Sequence, residues 1–221
     1  MCLILVGWRA RPDYPLLVAA NRDEFHGRPA APAAFWRDKP RILAGRDLEA
    51  MGTWMGVSRS GRFAAVTNYR GAREPSAAES RGALVSAFLA NGASAAGYIA
   101  DVAKRASKYS GFNLLVCDRA ELWWMSNRDG LPRRLDPGYY ALGNLLLDSP
   151  DVQPHKQRFA DTPAAVEALF SVLAAAKIVN AQYGTRCSTV LMDNGKGLRY
   201  GERTFAPDGA DGETVHFKFS I

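Results

Sequence analysis

Cys2 stands directly behind Met1, and that position carries a specific chemistry. Once the methionine is removed, a single residue holds both a thiol and a free α-amine. Their reference pKa values are about 8.5 and about 7.7–8.0, so near neutral pH the amine can act as base while the thiol becomes the nucleophile. A plainer reading competes with this one. Cys2 opens the apolar run Cys2-Leu3-Ile4-Leu5-Val6, and free cysteine is among the most buried residue types. Position alone favours a small hydrophobe at the head of a first strand.

A nucleophile needs partners, and polar residues at the ends of apolar runs are the candidates. Arg22 and Asp23 follow the run 16–20, Asn68 closes the run 62–68, Asn144 follows 138–143, and Arg186 precedes 188–193. Asp23 could orient the α-ammonium, and Arg22 could favour the thiolate. Asn68 and Asn144 offer the neutral N–H donors of an oxyanion hole, each such donor being worth about 3 kcal/mol in comparable sites. Arg186 could hold a substrate carboxylate. Taken singly, each asparagine reads more simply as a turn former and each arginine as half of a surface ion pair.

Other chemistries lack their signatures. Gly195-Lys196-Gly197 precedes a strand and lacks the spacing of a phosphate loop. His26, His155 and His216 are scattered, with no metal-ligand pattern, and no G-x-S-x-G elbow marks a catalytic serine. Cys2, Cys117 and Cys187 show no CxxC spacing and cannot all pair, which points to a reducing compartment and a cytoplasmic protein. No charged region precedes the first apolar run, and no run approaches the ~20 residues of a membrane span.

The elements that must position these residues are mostly strands. Residues 3–6 and 16–20 predict a hairpin. Residues 27–40, rich in Pro and Ala, read as a surface loop. Strand-like pieces follow at 41–44, 53–58 and 62–68, the last two joined by the turn Arg59-Ser60-Gly61. Helices are expected at 83–89 and 94–109, with Ser94 as N-cap, and a third at 161–176 with Pro163 in its first turn. Further strands are expected at 112–117, 121–125, 138–142, 188–193, 198–205 and 214–219. Runs of strands separated by helices suit packed antiparallel sheets with outer helices, and not a doubly wound parallel sheet.

The 221 residues, with no evident linker, predict one domain over 1–221, and 48% hydrophobic residues suffice for a sizeable core. The net charge of +6 is scattered and favours an anionic small ligand only weakly. Arg59, Arg62, Arg70, Arg73 and Arg81 form a basic stretch without a nucleic-acid signature, so no nucleic-acid partner is expected.

Seven motifs in order then resemble those of the NRDE family, also called the transport and Golgi organisation protein 2 family. They are Met1-Cys2-Leu3-Ile4, Ala19-Ala20-Asn21-Arg22-Asp23-Glu24-Phe25, Leu43-Ala44-Gly45-Arg46-Asp47, Gly52-Thr53-Trp54-Met55-Gly56-Val57, Thr67-Asn68-Tyr69-Arg70, Ser80-Arg81-Gly82 and Gly184-Thr185-Arg186. The resemblance implies an α+β fold, a four-layer αββα sandwich of two mainly antiparallel sheets, as in N-terminal nucleophile hydrolases. A more distant resemblance to the bile-salt hydrolase and penicillin V acylase group implies Cys2 as nucleophile, Arg22 and Asp23 beside it, and Asn68 and Asn144 as oxyanion donors. On the same motifs Asn21, Trp54, Arg70 and Arg186 are expected to bind substrate. The implied reaction is hydrolysis of a carbon–nitrogen amide bond in a small acyl-amide, with no cofactor required. The alternative is a non-catalytic carrier of haem or acyl lipids such as acyl-CoA, with Cys2, His26 or His155 as axial ligands to haem. Three positions depart from the family pattern: Met51 where glycine is commoner, Gly143 where serine is commoner before Asn144, and Cys187 where serine is commoner after Arg186.

Overall fold

In the computed structural model, residues 2–71 and 79–221 are described. Met1 and Arg73 lie outside them. The chain separates into two compact units, one built from Met1–Arg28, Pro137–Gly143 and Leu147–Ile221, the other from Pro29–Asp136 and Asn144–Leu146. Each contains one antiparallel sheet, in agreement with the α+β expectation.

In the first unit, β1 (Leu3–Arg11) and β2 (Tyr14–Phe25) form the expected hairpin. Apolar residues run almost unbroken through residues 3–8 and 16–20, so both strands bury side chains on both faces. β10 (Gly138–Leu142) pairs with β1, placing Leu142 opposite Ile4. On the other side, β11 (Tyr183–Asp193) pairs with β2, and β12 (Gly197–Phe205) and β13 (Asp211–Ser220) complete the order β10-β1-β2-β11-β12-β13. Leu3, Leu5, Leu17, Ala19, Val190 and Met192 point to one face, where they meet Phe159 of α3 (Gln153–Asp161) and Leu169, Phe170 and Leu173 of α4 (Val166–Ala174).

The helix expected over 161–176 is α4, which starts only at Val166, and α3 lies ahead of that span as a further helix. α3 ends at Asp161, and Pro163 lies in the connection rather than in a first turn, because it has no N–H to continue a helical ladder. Arg11 closes the end of α3: its Nη2 donates to the carbonyls of Ala160 (2.9 Å) and Thr162 (2.6 Å), orphaned helix-end acceptors.

The second unit has the strand order β3-β4-β5-β6-β7-β8-β9, formed by β3 (Ala30–Phe35), β4 (Ile42–Asp47), β5 (Met55–Ser58), β6 (Phe63–Asn68), β7 (Phe112–Cys117), β8 (Leu122–Ser126) and β9 (Arg133–Leu135). The surface loop expected at 27–40 contains β3. Its Pro32 is tolerated because β3 is an edge strand whose register with β4 slips between Ala31 and Ala34. α1 (Arg81–Ala90) and α2 (Ala95–Lys104) cover this sheet through Leu84, Val85, Phe88, Ile99 and Val102. Ser94 caps α2 as expected, its Oγ accepting the Gly97 N–H at 3.1 Å.

Two motif glycines exist for close approach. A Cβ on Gly52 would lie 2.6 Å from the backbone of Gly82, and Thr53 N donates to Gly82 O at 3.3 Å. The Gly-Thr-Trp and Ser-Arg-Gly motifs are thus packed on each other. A Cβ on Gly45 would meet the Trp54 ring at 2.4 Å, so the indole lies against bare backbone.

Candidate active site around Cys2

Cys2 lies immediately ahead of β1 and is partly buried. Leu3 pairs with Asn21, which directs the chain before β1 toward the Asn-Arg-Asp run of β2. The Cys2 thiol donates to the backbone carbonyl of Asp23 at 3.4 Å. Burial pushes this thiol up to about 11, and the Asp23 carboxylate adds to the rise; the backbone hydrogen bond at Asp23 and the Arg22 guanidinium oppose it. With Met1 attached, the nitrogen of Cys2 is an amide. In that form the thiol is neutral at pH 7 and has no amine base of its own.

The polar run was expected where β2 leaves the core, and here the structure corrects the reading. β2 continues through Phe25, and Asn21, Arg22 and Asp23 are all buried between β1 and β11. Buried polar groups require partners, and β11 and α4 supply them. Asn21 Nδ2 donates to Leu173 O at 2.9 Å, and its Oδ1 accepts from Ser188 Oγ at 2.6 Å. Asp23 Oδ1 accepts from Thr185 Oγ1 at 2.7 Å, and Thr185 Oγ1 in turn accepts the N–H of Ile178 at 2.8 Å. Tyr183 Oη donates to the same Asp23 carbonyl that the thiol uses, at 3.2 Å. Asn21 is thus tied into the fold by two hydrogen bonds.

Arg22 alternates to the sheet face opposite Asn21. It sits across from Cys187, which is 4% exposed, and its Nη2 lies 3.9 Å from Glu24 Oε2. Burial raises the Cys187 thiol well above its usual range, with Glu202 adding to the rise and Arg22 opposing it. One guanidinium therefore acts electrostatically on both Cys2 and Cys187.

Arg186 is not ahead of the strand but inside β11, where the register with β2 shifts between Thr185 and Cys187. That β-bulge re-aims its side chain. Arg186 Nη1 donates to the carbonyls of Phe25 (3.0 Å), His26 (3.0 Å) and Arg28 (3.2 Å), fixing the loop after β2. His26 Nε2 pairs with Asn180 O at 2.9 Å.

In the second unit the structure brings Asn68 and Asn144 together. Asn144 Nδ2 donates to Asn68 O at 2.8 Å, and Arg70 N donates to Asn144 O at 2.6 Å. One of the two N–H groups of the Asn144 amide is therefore engaged. Next to this clip, Asn113 Nδ2 donates to Leu145 O (2.8 Å) and Thr67 Oγ1 (3.2 Å). Thr185, Tyr183 and Asn113 were not singled out from sequence. Only Thr185 had a signal there, as the middle of Gly184-Thr185-Arg186.

Comparison with known proteins now gives the lineage. The family profile for Transport and Golgi organisation 2 matches residues 1–167. The chain belongs to this family. The mouse Transport and Golgi organization 2 homolog is 30% identical over 274 residues, covering 100% of this chain and 99% of its own. The bovine homolog of the Transport and Golgi organization 2 family is 39% identical over 163 residues, covering 68% of this chain and 59% of its own length. Among solved structures, the C2A mutant of conjugated bile acid hydrolase from Clostridium perfringens aligns with TM-score 0.56 at 11% identity, covering 99% of this chain and 97% of its own. The N-acylethanolamine-hydrolyzing acid amidase ortholog of Caenorhabditis elegans aligns with TM-score 0.52 at 11% identity, covering 86% of this chain and 92% of its own. This Transport and Golgi organisation 2 family member therefore has the fold of N-terminal nucleophile hydrolases. Among the described residues no helix is long and apolar enough to cross a membrane.

Proposed function

We propose that the protein, after removal of Met1, is a cysteine N-terminal nucleophile hydrolase acting on the amide bond of a small acyl-amide. The observation that carries this reading is the surroundings of Cys2. Its thiol is held against Asp23 O, and a buried carboxylate and a buried guanidinium from adjacent residues both act on it. Loss of Met1 would turn the Cys2 amide into an amine one bond from Cα. An ammonium there offsets the Asp23 carboxylate and favours the thiolate.

The reaction balances as follows. The α-amine takes the thiol proton, and sulfur attacks the amide carbon to form a C–S bond and a tetrahedral oxyanion. The C–N bond breaks as the ammonium gives that proton to the leaving nitrogen, leaving a thioester. Water attacks the thioester, the amine accepts one of its protons, and the thiol is regenerated with release of a carboxylic acid. Asn68 and Asn144 are the proposed oxyanion donors, with Asn144 offering its second amide N–H. Arg186, Arg70 and Trp54 are the proposed substrate contacts. Arg186 would make its contact through the guanidinium nitrogens not committed to the 25–28 loop.

The alternative, a non-catalytic carrier of haem or acyl lipids, gains nothing from Cys2 in the Met1-bearing form, because its neutral thiol is not a metal ligand until deprotonated. For haem, His26 would first have to give up its bond to Asn180 O. The two readings part on one experiment. Met1-processed protein is incubated with conjugated bile acid and N-acylethanolamine amides, the substrates named for the two structural neighbours, and amine release is measured. Hydrolysis that falls by about 10²-fold or more in C2S supports the amidase. Equal turnover by C2S and the unaltered protein rejects it.

A further inference from the structure

The sheet of the first unit carries a cavity at the end opposite Cys2. β11 runs from Thr185, paired with Asp23, to Asp193, paired with Leu16. Met192 is therefore roughly 23 Å along the strand from Thr185, at about 3.3 Å per residue. A cavity of about 420 Å³ opens here, its lining including Tyr14, Met192, Lys196, Arg199, Lys218 and Ser220.

Register makes the lining coherent. Met192 pairs with Arg199, and Arg199 pairs with Lys218. The three side chains thus form one row across three strands, on the face that Met192 shares with Leu17 and the α4 core. Lys196 approaches from the β11–β12 turn, and its carbonyl accepts Ile221 N at 3.2 Å. The site therefore gathers three cations, while its lining contains no Asp or Glu. Asp193, next in sequence to this lining, has Oδ1 engaged with Gly195 N at 2.6 Å. Among the described residues no carboxylate, that of Ile221 included, comes within 4.0 Å of Lys196, Arg199 or Lys218.

Two like charges paired on neighbouring strands, Arg199 and Lys218, with a third, Lys196, in the adjoining turn, repel each other. These cations are left unneutralised beside a cavity with an aromatic wall, Tyr14, and an apolar floor, Met192, both on the α4 face that Arg199 and Lys218 share by register. We propose that this cavity binds a phosphate monoester with a planar aromatic body, of the size of a nucleoside monophosphate. The guanidinium of Arg199 takes two phosphate oxygens, Lys218 and Lys196 neutralise the remaining charge, and the aromatic body lies against Tyr14 over Met192. Asn194 and Ser220 supply hydrogen bonds at the rim. The site does not depend on whether Cys2 is catalytic.

The test is calorimetric titration of the intact protein with adenosine monophosphate, adenosine and inorganic phosphate at low salt. The monophosphate is expected to bind at least tenfold more tightly than either part alone. R199A is expected to weaken it at least tenfold, the double variant R199A/K218A further, and R199K less than R199A. These exposed strand positions should leave the melting temperature near that of the unaltered protein, which verifies that the variants fold. Adenosine and its monophosphate binding alike, or R199A/K218A binding as the unaltered protein does, overturns the proposal. Inorganic phosphate matching the monophosphate also overturns it, by showing that the cavity does not read the aromatic body.

Discussion

Thr185 holds Asp23 from across the sheet: its hydroxyl donates to Asp23 Oδ1 at 2.7 Å while accepting the N–H of Ile178 at 2.8 Å. Both residues are buried, so the carboxylate next to the candidate nucleophile is fixed by a residue 162 positions away in the chain. The same strand supplies Tyr183 to the Asp23 carbonyl. Removing the Thr185 hydroxyl takes a donor from Asp23 Oδ1 and the acceptor from the Ile178 N–H. T185V should therefore cost about 2–4 kcal/mol, more than a single lost hydrogen bond between neutral groups, whereas T185S should cost under about 1 kcal/mol. Urea denaturation of the two variants measures the difference. Equal losses would show that the methyl group, and not the hydroxyl, supports the site.

The Cys2 thiol gives a pH dependence with a defined sign. Its ordinary value of about 8.5–9 is pushed up to about 11 in the folded protein. Between those values the unfolded chain loses the thiol proton while the folded one keeps it. Stability is therefore full below pH 9 and declines as pH rises toward 11, by on the order of 2 kcal/mol. C2S should flatten that part of the stability curve. A C2S curve parallel to that of the unaltered protein over pH 8.5–11 would assign the decline to other groups.

Alkylation reads the same thiol directly. In protein that retains Met1, reaction of Cys2 with iodoacetamide should be slow at pH 7.5 and rise steeply only as pH approaches 11. Once Met1 is removed, the rise should move to lower pH, because the new ammonium adds a favourable charge next to the thiolate. Intact-mass spectrometry, with peptide mapping to separate Cys2 from buried Cys117 and Cys187, follows both forms. Identical pH profiles would remove the amine from the mechanism.

Much of this site was legible in the residues, and the failures have physical causes. The first hairpin followed from two apolar runs around Pro12 and Asp13, and Ser94 declared a helix start through its capping geometry. The burial of Asn21, Arg22 and Asp23 was hidden. Three polar residues in succession normally mark a strand's exit, and the groups that satisfy them here lie on α4 and β11, far away in sequence. α3 escaped notice because its sequence is polar and buries only Phe159. β3 was masked by its Pro and Ala content, which suits an edge strand. The bulge at Arg186 exists only as a register shift between β2 and β11, a relationship that no local pattern encodes.

Arg186 offers a separate test, because three backbone carbonyls converge on one of its nitrogens. Phe25 O, His26 O and Arg28 O all accept from Nη1 within 3.2 Å. R186K keeps the charge but replaces a planar fork by a shorter reach of different geometry, so the 25–28 loop should loosen. Hydrogen exchange at its amides should accelerate by an order of magnitude or so, with a global stability loss of about 1 kcal/mol. Unchanged exchange would mean that the loop is held by His26 N and Nε2 alone.

Met51 is one of the positions where local backbone geometry conflicts with residue type. It occupies φ 58, in the left-handed region, and its side chain is 53% exposed, so no packing offsets the strain. Glycine adopts that region without a Cβ clash, and the next residue, Gly52, must stay close to Gly82, so the turn cannot relax to a negative φ without breaking that contact. M51G therefore relieves strain in the folded state while adding freedom to the unfolded one, and the first effect is the larger where φ is fixed positive. The expected outcome is a gain of about 0.5–1 kcal/mol, a rise of roughly 2–4 °C in melting temperature for a chain of this size. M51A serves as the control: it keeps the Cβ and should gain nothing. A rise in M51A equal to that in M51G would place the cost of Met51 in its exposed side chain and not in its backbone.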